Sequence, residues 1–140
     1  MEADVERFIA RGARAVNERD WEAYGRLFSN DLVMRTPGLP GITNGREARV
    51  ELVKGIVAPF PDGRVDVERA ITQGDWSCLQ LRFSGTHTEP MATPDGGEIP
   101  PTDKSVDMPY CLVAKFEDGE VVEVHEYYDQ LDLLAQLGLG

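Results

Sequence analysis

Histidine occurs only twice in this 140-residue chain, at His87 and His125, and cysteine only twice, at Cys78 and Cys111. Two histidines cannot supply a three-histidine metal centre, and a mixed site of histidine and carboxylate would lack the usual ligand spacings. The cysteines show no C-x-x-C spacing and each lies inside an apolar, strand-like run, so buried free thiols are expected. Neither metal nor organic cofactor is indicated. Basic residues are also scarce: 14 Lys and Arg against 25 Asp and Glu leave a net charge of −11. Phosphate backbones and anionic lipid surfaces need clustered cations, so neither nucleic acid nor membrane is expected as a partner on electrostatic grounds. No apolar run is long enough to span a bilayer. The opening residues Met1 to Arg7 are acidic and pass into a helical pattern, unlike a secretion signal, and a cytoplasmic protein is expected.

What remains is an ordinary globular composition, 41% hydrophobic and 28% charged, at a length that suits one domain spanning residues 1–140. Val5, Phe8, Ile9, Gly12 and Val16 recur at helical spacing and predict a first helix ending near Asn17 to Arg19. Asp20 is placed to cap a second, with Trp21, Tyr24, Leu27 and Phe28 as its apolar stripe. Leu32 to Thr36 reads as a short strand, Pro37 to Gly41 as a loop, and Ala48, Leu52, Val53, Ile56 and Val57 as a third helix capped by Thr43 or Asn44. The period then changes to two. Arg64 to Gln73, Trp76 to Thr88, Ser105 to Phe116 and Val121 to Asp129 read as strands, joined at Gly74-Asp75 and at Glu117 to Glu120 by tight turns. Helices followed by a run of antiparallel strands predict an α+β fold. Glu89 to Lys104, rich in Pro and Gly, predicts a long loop placed to act as a lid.

The last strand carries the candidate chemistry. Alternation puts Glu123, His125, Tyr127 and Asp129 on one face and Val122, Val124, Glu126 and Tyr128 on the other. The first set is either a solvated outer face or a ladder of titratable groups aimed into a cavity. Leu131, Leu134 and Leu137 predict a short closing helix, which leaves Asp129 at a strand-to-helix junction. His87 continues the stripe of Leu79, Leu81, Phe83 and Gly85, as a hydrogen-bonded core residue or as a group reaching a ligand. On the next strand Val106, Met108, Tyr110, Leu112, Ala114 and Phe116 align, and Tyr110 is able to present its hydroxyl inward. Asp31 is read as a turn cap, and Asp107 and Glu123 as solvated.

The motifs Gly85-Thr86-His87-Thr88, Ile99-Pro100-Pro101-Thr102 and His125 to Leu131 with Gln136-Leu137-Gly138 resemble those of the SnoaL-like polyketide cyclases, within the nuclear-transport-factor-two-like α+β cone superfamily. The resemblance runs over nearly the whole chain. It implies a curved antiparallel sheet wrapped around the N-terminal helices, a central apolar pocket, and a homodimer formed through the outer sheet face. It further implies aldol-type ring closure or isomerisation of an aromatic carbonyl compound without a cofactor. Asp129 looks like the family's acid/base, with His125 and His87 as supporting groups and Tyr110, Tyr127, Met108, Phe83, Trp21 and Met91 lining the substrate site. Ala92 to Gly97 looks like added length at the mouth. A non-catalytic small-molecule binder, or a hydrolase or hydroxylation-associated relative using the same pocket, are the alternatives.

Overall fold

The computed structural model describes residues 2–37, 44–93 and 95–139, so the predicted loop after Pro37 and the predicted cap at Thr43 lie largely outside the described residues. The described residues form four helices: α1 (Glu2–Glu18), α2 (Trp21–Gly25), α3 (Arg46–Val57) and α4 (Gln130–Gln136). The strands are β1 (Phe28–Arg35), β2 (Arg64–Gln73), β3 (Trp76–Thr86), β4 (Met91–Ala92), β5 (Glu98–Ile99), β6 (Ser105–Glu117) and β7 (Glu120–Tyr127). Five of them form one curved sheet in the order β1-β7-β6-β3-β2, while β4 and β5 form a separate small hairpin.

The expected α+β architecture holds, with three local corrections. β1 joins β7 in parallel, which makes the sheet mixed. The two strands are far apart in sequence, so no tight turn dictates their relative direction. The second helix stops at Gly25, and Phe28, assigned to its stripe, opens β1 and points into the core. α3 starts from Gly45 without a side-chain cap, because the Asn44 amide oxygen accepts from the Met34 N–H at 3.0 Å. Within the predicted 89–104 loop, β4 and β5 pair as a hairpin, with Gly96 and Gly97 between them.

Alternation divides the sheet into two faces. Leu79, Leu81 and Phe83 of β3, Val106, Met108, Ala114 and Phe116 of β6, and Val121 and Val124 of β7 are buried beneath the helices. Phe8 of α1 meets the Phe116 and Phe28 rings edge-on at 4.9 and 6.2 Å. Both ends of the sheet's open ladders are filled by side-chain amides. Asn17 exchanges two bonds with the Val65 backbone, at 2.8 and 2.9 Å, and Gln136 does the same for Asp107, at 2.7 and 3.1 Å. An amide side chain presents one donor and one acceptor, as a neighbouring strand would.

The turn between α3 and β2 is tied to the sheet at close range. A Cβ on Gly85 would lie 3.0 Å from the Gly63 Cα, so the backbones meet without side chains between them. Arg19, with φ 58°, turns back from the end of α1 to donate to the carbonyls of Phe60 and Gly63, each at 3.1 Å. The Asp62 carboxylate accepts from the Thr86 N–H at 2.7 Å and hydroxyl at 2.9 Å, and these bonds hold it below the usual carboxylate range. A depressed folded-state value means that this stabilisation is present above the ordinary Asp range and is lost as pH falls through the folded value. Asp62→Asn is expected to lower stability at neutral pH by about 1 kcal/mol and to flatten the acid limb of a urea-midpoint profile. An unchanged acid limb would remove this account.

Candidate functional site

The buried face of the sheet carries Ser77 of β3, which bonds the Thr72 hydroxyl, and one buried acidic residue toward the end of β7. Val121 and Val124 continue as Glu126, which is 9% exposed, and Glu126 lies opposite Leu112 on β6. Arg49 faces it from α3, one turn before Val53 and two before Val57 on the same buried stripe. The guanidinium is 3% exposed and donates through Nη1 and Nη2 to the two carboxylate oxygens, at 3.1 and 3.4 Å. Its Nε donates to the Tyr24 hydroxyl at 3.1 Å, and its carbon lies 5.7 Å over the Phe28 ring. Burial disfavours the charged guanidinium, but Glu126 and Tyr24 outweigh it and hold Arg49 protonated above its usual range.

Three phenols surround this pair. Burial pushes Tyr24 up, against the opposing pull of Arg49. Burial followed by the charge of Glu126 pushes up both Tyr110 and Tyr128. All three therefore remain neutral hydroxyls, able to donate. Trp21 stands edge-on to Tyr24 at 6.0 Å, and Leu52, Leu112 and Met91 are half-buried against the same core. The set combines one carboxylate, a fixed cation and phenolic donors on an otherwise apolar wall. Such a set can accept a proton from carbon and donate to a developing oxyanion.

The predicted site residues are not brought together as expected. His125 and Glu123 do share a face, but it is the outer one: His125 bonds the Glu123 carboxylate at 2.5 Å and tilts against Trp76 at 6.1 Å. Tyr127 is on that face too, 47% exposed. The ladder is thus the outer face, and the buried residues Val124 and Glu126 belong to the opposite set. His87 is fully buried: Nδ1 sits 3.0 Å from the Thr102 hydroxyl, and its ring packs beside Phe60. Phe83 and Met108 are core residues beneath the same turn. Asp129 is exposed and caps α4, accepting from the Asp132 N–H at 3.0 Å, so its carboxyl does not enter an enclosed interior. It lines an open cleft of about 770 Å³ at the fork where the chain leaves β6, shared with Arg82, Tyr110, Cys111, Tyr127 and Tyr128. Of the other residues predicted to line the site, Trp21, Met91 and Tyr110 are half-buried against the core.

Sequence reading missed Glu126, Arg49, Tyr24 and Tyr128. A signal was present: one acidic residue interrupts the Val122, Val124, Tyr128 face, and one basic residue sits four before Val53 on a helix stripe. Opposite charges on two separately apolar faces imply that the faces meet.

The chain matches the family model described as SnoaL-like polyketide cyclase over residues 4–137. No functionally curated protein matches it at the sequence level. Among solved structures, TsrD from Streptomyces laurentii superposes with TM-score 0.85 at 21% identity, covering 100% of this chain and 98% of its own. IdmH from Streptomyces antibioticus, described as a candidate polyketide cyclase, gives 0.79 at 28% identity over 95% and 97%. AclR from Streptomyces galilaeus, described as a candidate hydroxylase, gives 0.79 at 23% identity over 97% and 96%. With a family model spanning nearly its full length, the chain belongs to the SnoaL-like polyketide cyclase family.

Proposed function

We propose that this protein is a cofactor-independent cyclase or isomerase for a small aromatic carbonyl compound, and that Glu126 is its acid/base. The observation that carries the reading is that Glu126 is the acidic side chain buried on the inner sheet face among the described residues. It is reachable as well as buried, since its side chain retains 12% exposure, whereas His87 is sealed. The family membership and the description of IdmH as a candidate polyketide cyclase support the reaction class.

In ring closure, Glu126 takes a proton from the carbon beside a carbonyl. That carbon forms a bond to a second carbonyl carbon, whose oxygen receives a proton from Glu126 or from Tyr110, and the donor is then restored. Arg49 and the neutral phenols of Tyr110 and Tyr128 face the negative charge that builds on oxygen. A positioned acid/base of this kind supplies ~10²–10⁴-fold, and holding the two reacting carbons together supplies more.

Glu126→Gln is expected to lower turnover of an aromatic diketone by at least ~10²-fold. Because removing one partner of a buried pair costs about 3–5 kcal/mol, folding is checked by circular dichroism, and Glu126→Asp is run as the charge-conserving control. Asp129→Asn, at an exposed cap, is expected to leave turnover within a few fold. Loss of turnover in Asp129→Asn with retention in Glu126→Gln would move the acid/base to the rim. A wild-type protein that binds such ketones and changes none of them would make the chain a carrier, and solvent oxygen in the product would make it a hydratase.

Self-association through the outer sheet face is part of the same proposal, since Ile71, Trp76 and Tyr127 expose large apolar surface there. Light scattering is expected to report a dimer that Trp76→Glu converts to monomer; a monomeric wild type would exclude it.

A further inference from the structure

Sequence spacing gave no reason to pair the two cysteines, yet the fold brings them together. Cys78 on β3 lies opposite Val113 of β6, and Cys111 lies opposite Gln80, so the cysteines are diagonal neighbours on the outer face. Their sulfurs are 3.4 Å apart, both side chains are half-buried, and both are free thiols. Cys111 also lines the open cleft at the end of β7, which gives a small oxidant a route to it.

We propose that Cys78 and Cys111 are a modification site: a thiol pair that a peroxide-class oxidant converts to a reversible intrachain disulfide between β3 and β6. One thiolate attacks the peroxide, the O–O bond breaks, and a sulfenic acid forms with release of hydroxide. The second thiolate attacks that sulfur, the S–S bond forms, and the S–O bond breaks with release of a second hydroxide; the two protons given up by the thiols turn both hydroxides into water. Two cysteines give up two electrons in total and the peroxide is reduced to two waters.

Burial, with the hydrogen bond and charge of Cys78, pushes the Cys111 thiol up to about 11. Thiolate is the reacting form, so oxidation accelerates as pH rises toward that value. Bonded sulfurs stand about 2 Å apart and diagonal strand neighbours are more widely spaced than directly opposed ones, so closing the bond draws the strands together at Cys111. Its neighbours Tyr110 and Leu112 point to the inner wall, and the bond therefore moves Tyr110. This inference does not depend on the reaction proposed above.

The native protein is treated with hydrogen peroxide and followed by thiol titration, intact mass and non-reducing electrophoresis. The expected result is loss of both titratable thiols and of two hydrogen masses, at unchanged monomer mobility, reversed by dithiothreitol and faster at higher pH. Cys78→Ser and Cys111→Ser, each carrying one thiol, are expected to show no hydrogen loss. Persistence of two titratable thiols, oxygen addition in place of hydrogen loss, or a covalent dimer as the product would each overturn the site. An unchanged near-ultraviolet circular dichroism spectrum after disulfide formation would overturn its transmission to Tyr110.

Discussion

The arrangement of the whole interior depends on the ion pair between Arg49 of α3 and Glu126 of β7. Neither charge is tolerable alone at that depth, since desolvating an unpaired ion is far more unfavourable than desolvating one already held by its partner. Two residues separated by most of the chain's length must therefore meet, and their meeting sets α3 across the end of the sheet. Tyr24 then follows, because the guanidinium Nε–H, which Glu126 does not reach, needs an acceptor, and the Tyr24 hydroxyl provides it at 3.1 Å. The result is an interior with two unlike ends. Around Phe60, Phe83, Met108 and Leu137 it is apolar and tightly filled, with His87 closed inside it. Around Glu126 it is polar, donor-rich and still reachable.

Such an arrangement would be of little use on a sheet free to slip or to pair with other chains. Asn17 and Gln136 bear on both problems, because each fills an open length of ladder with a side-chain amide and ties a helix to it. Gln136 belongs to α4, so the helix that follows β7 is fixed to the long free stretch of β6. That contact determines where the chain goes after Tyr127, and hence the fork at which Tyr110, Tyr128 and Asp129 line a common cleft. Edge protection and site placement are performed by the same residue.

Period and punctuation were sufficient to read most of the fold. Apolar spacing found α1 and α3, alternation found β2, β3, β6 and β7, and the paired turn residues Asp118 and Gly119, both with positive φ, stand where a tight turn was expected. Phe28 was misplaced because an aromatic three residues beyond Gly25 fits a helix stripe as well as a strand start, and only packing decides between them. The site was harder. Alternation correctly separated the two faces of β7, but polarity was taken as the mark of the functional face, and the buried carboxylate, Glu126, lies on the opposite one. A polar row costs nothing on a wet surface, so Glu123, His125 and Tyr127 together say little. A single carboxylate among valines has to be compensated somewhere, and it is the rarer and more informative pattern.

The choice between Glu126 and Asp129 turns on where the ladder ends. The last paired residue of β7 is Tyr127, opposite Cys111. Within the ladder Glu126 takes its direction from the pairing opposite Leu112, with its carboxylate gripped by Arg49. Past Tyr127 no pairing with β6 carries the parity forward, and the backbone is already turning into α4. Asp129 takes its orientation from the first turn of that helix, whose N–H groups it caps. Asp129 is thus positioned by the helix start, whereas Glu126 is positioned by the sheet. Preorganisation for proton transfer requires an orientation fixed by rigid neighbours on the substrate's side, and at this end of the chain that condition is met one residue before the ladder stops.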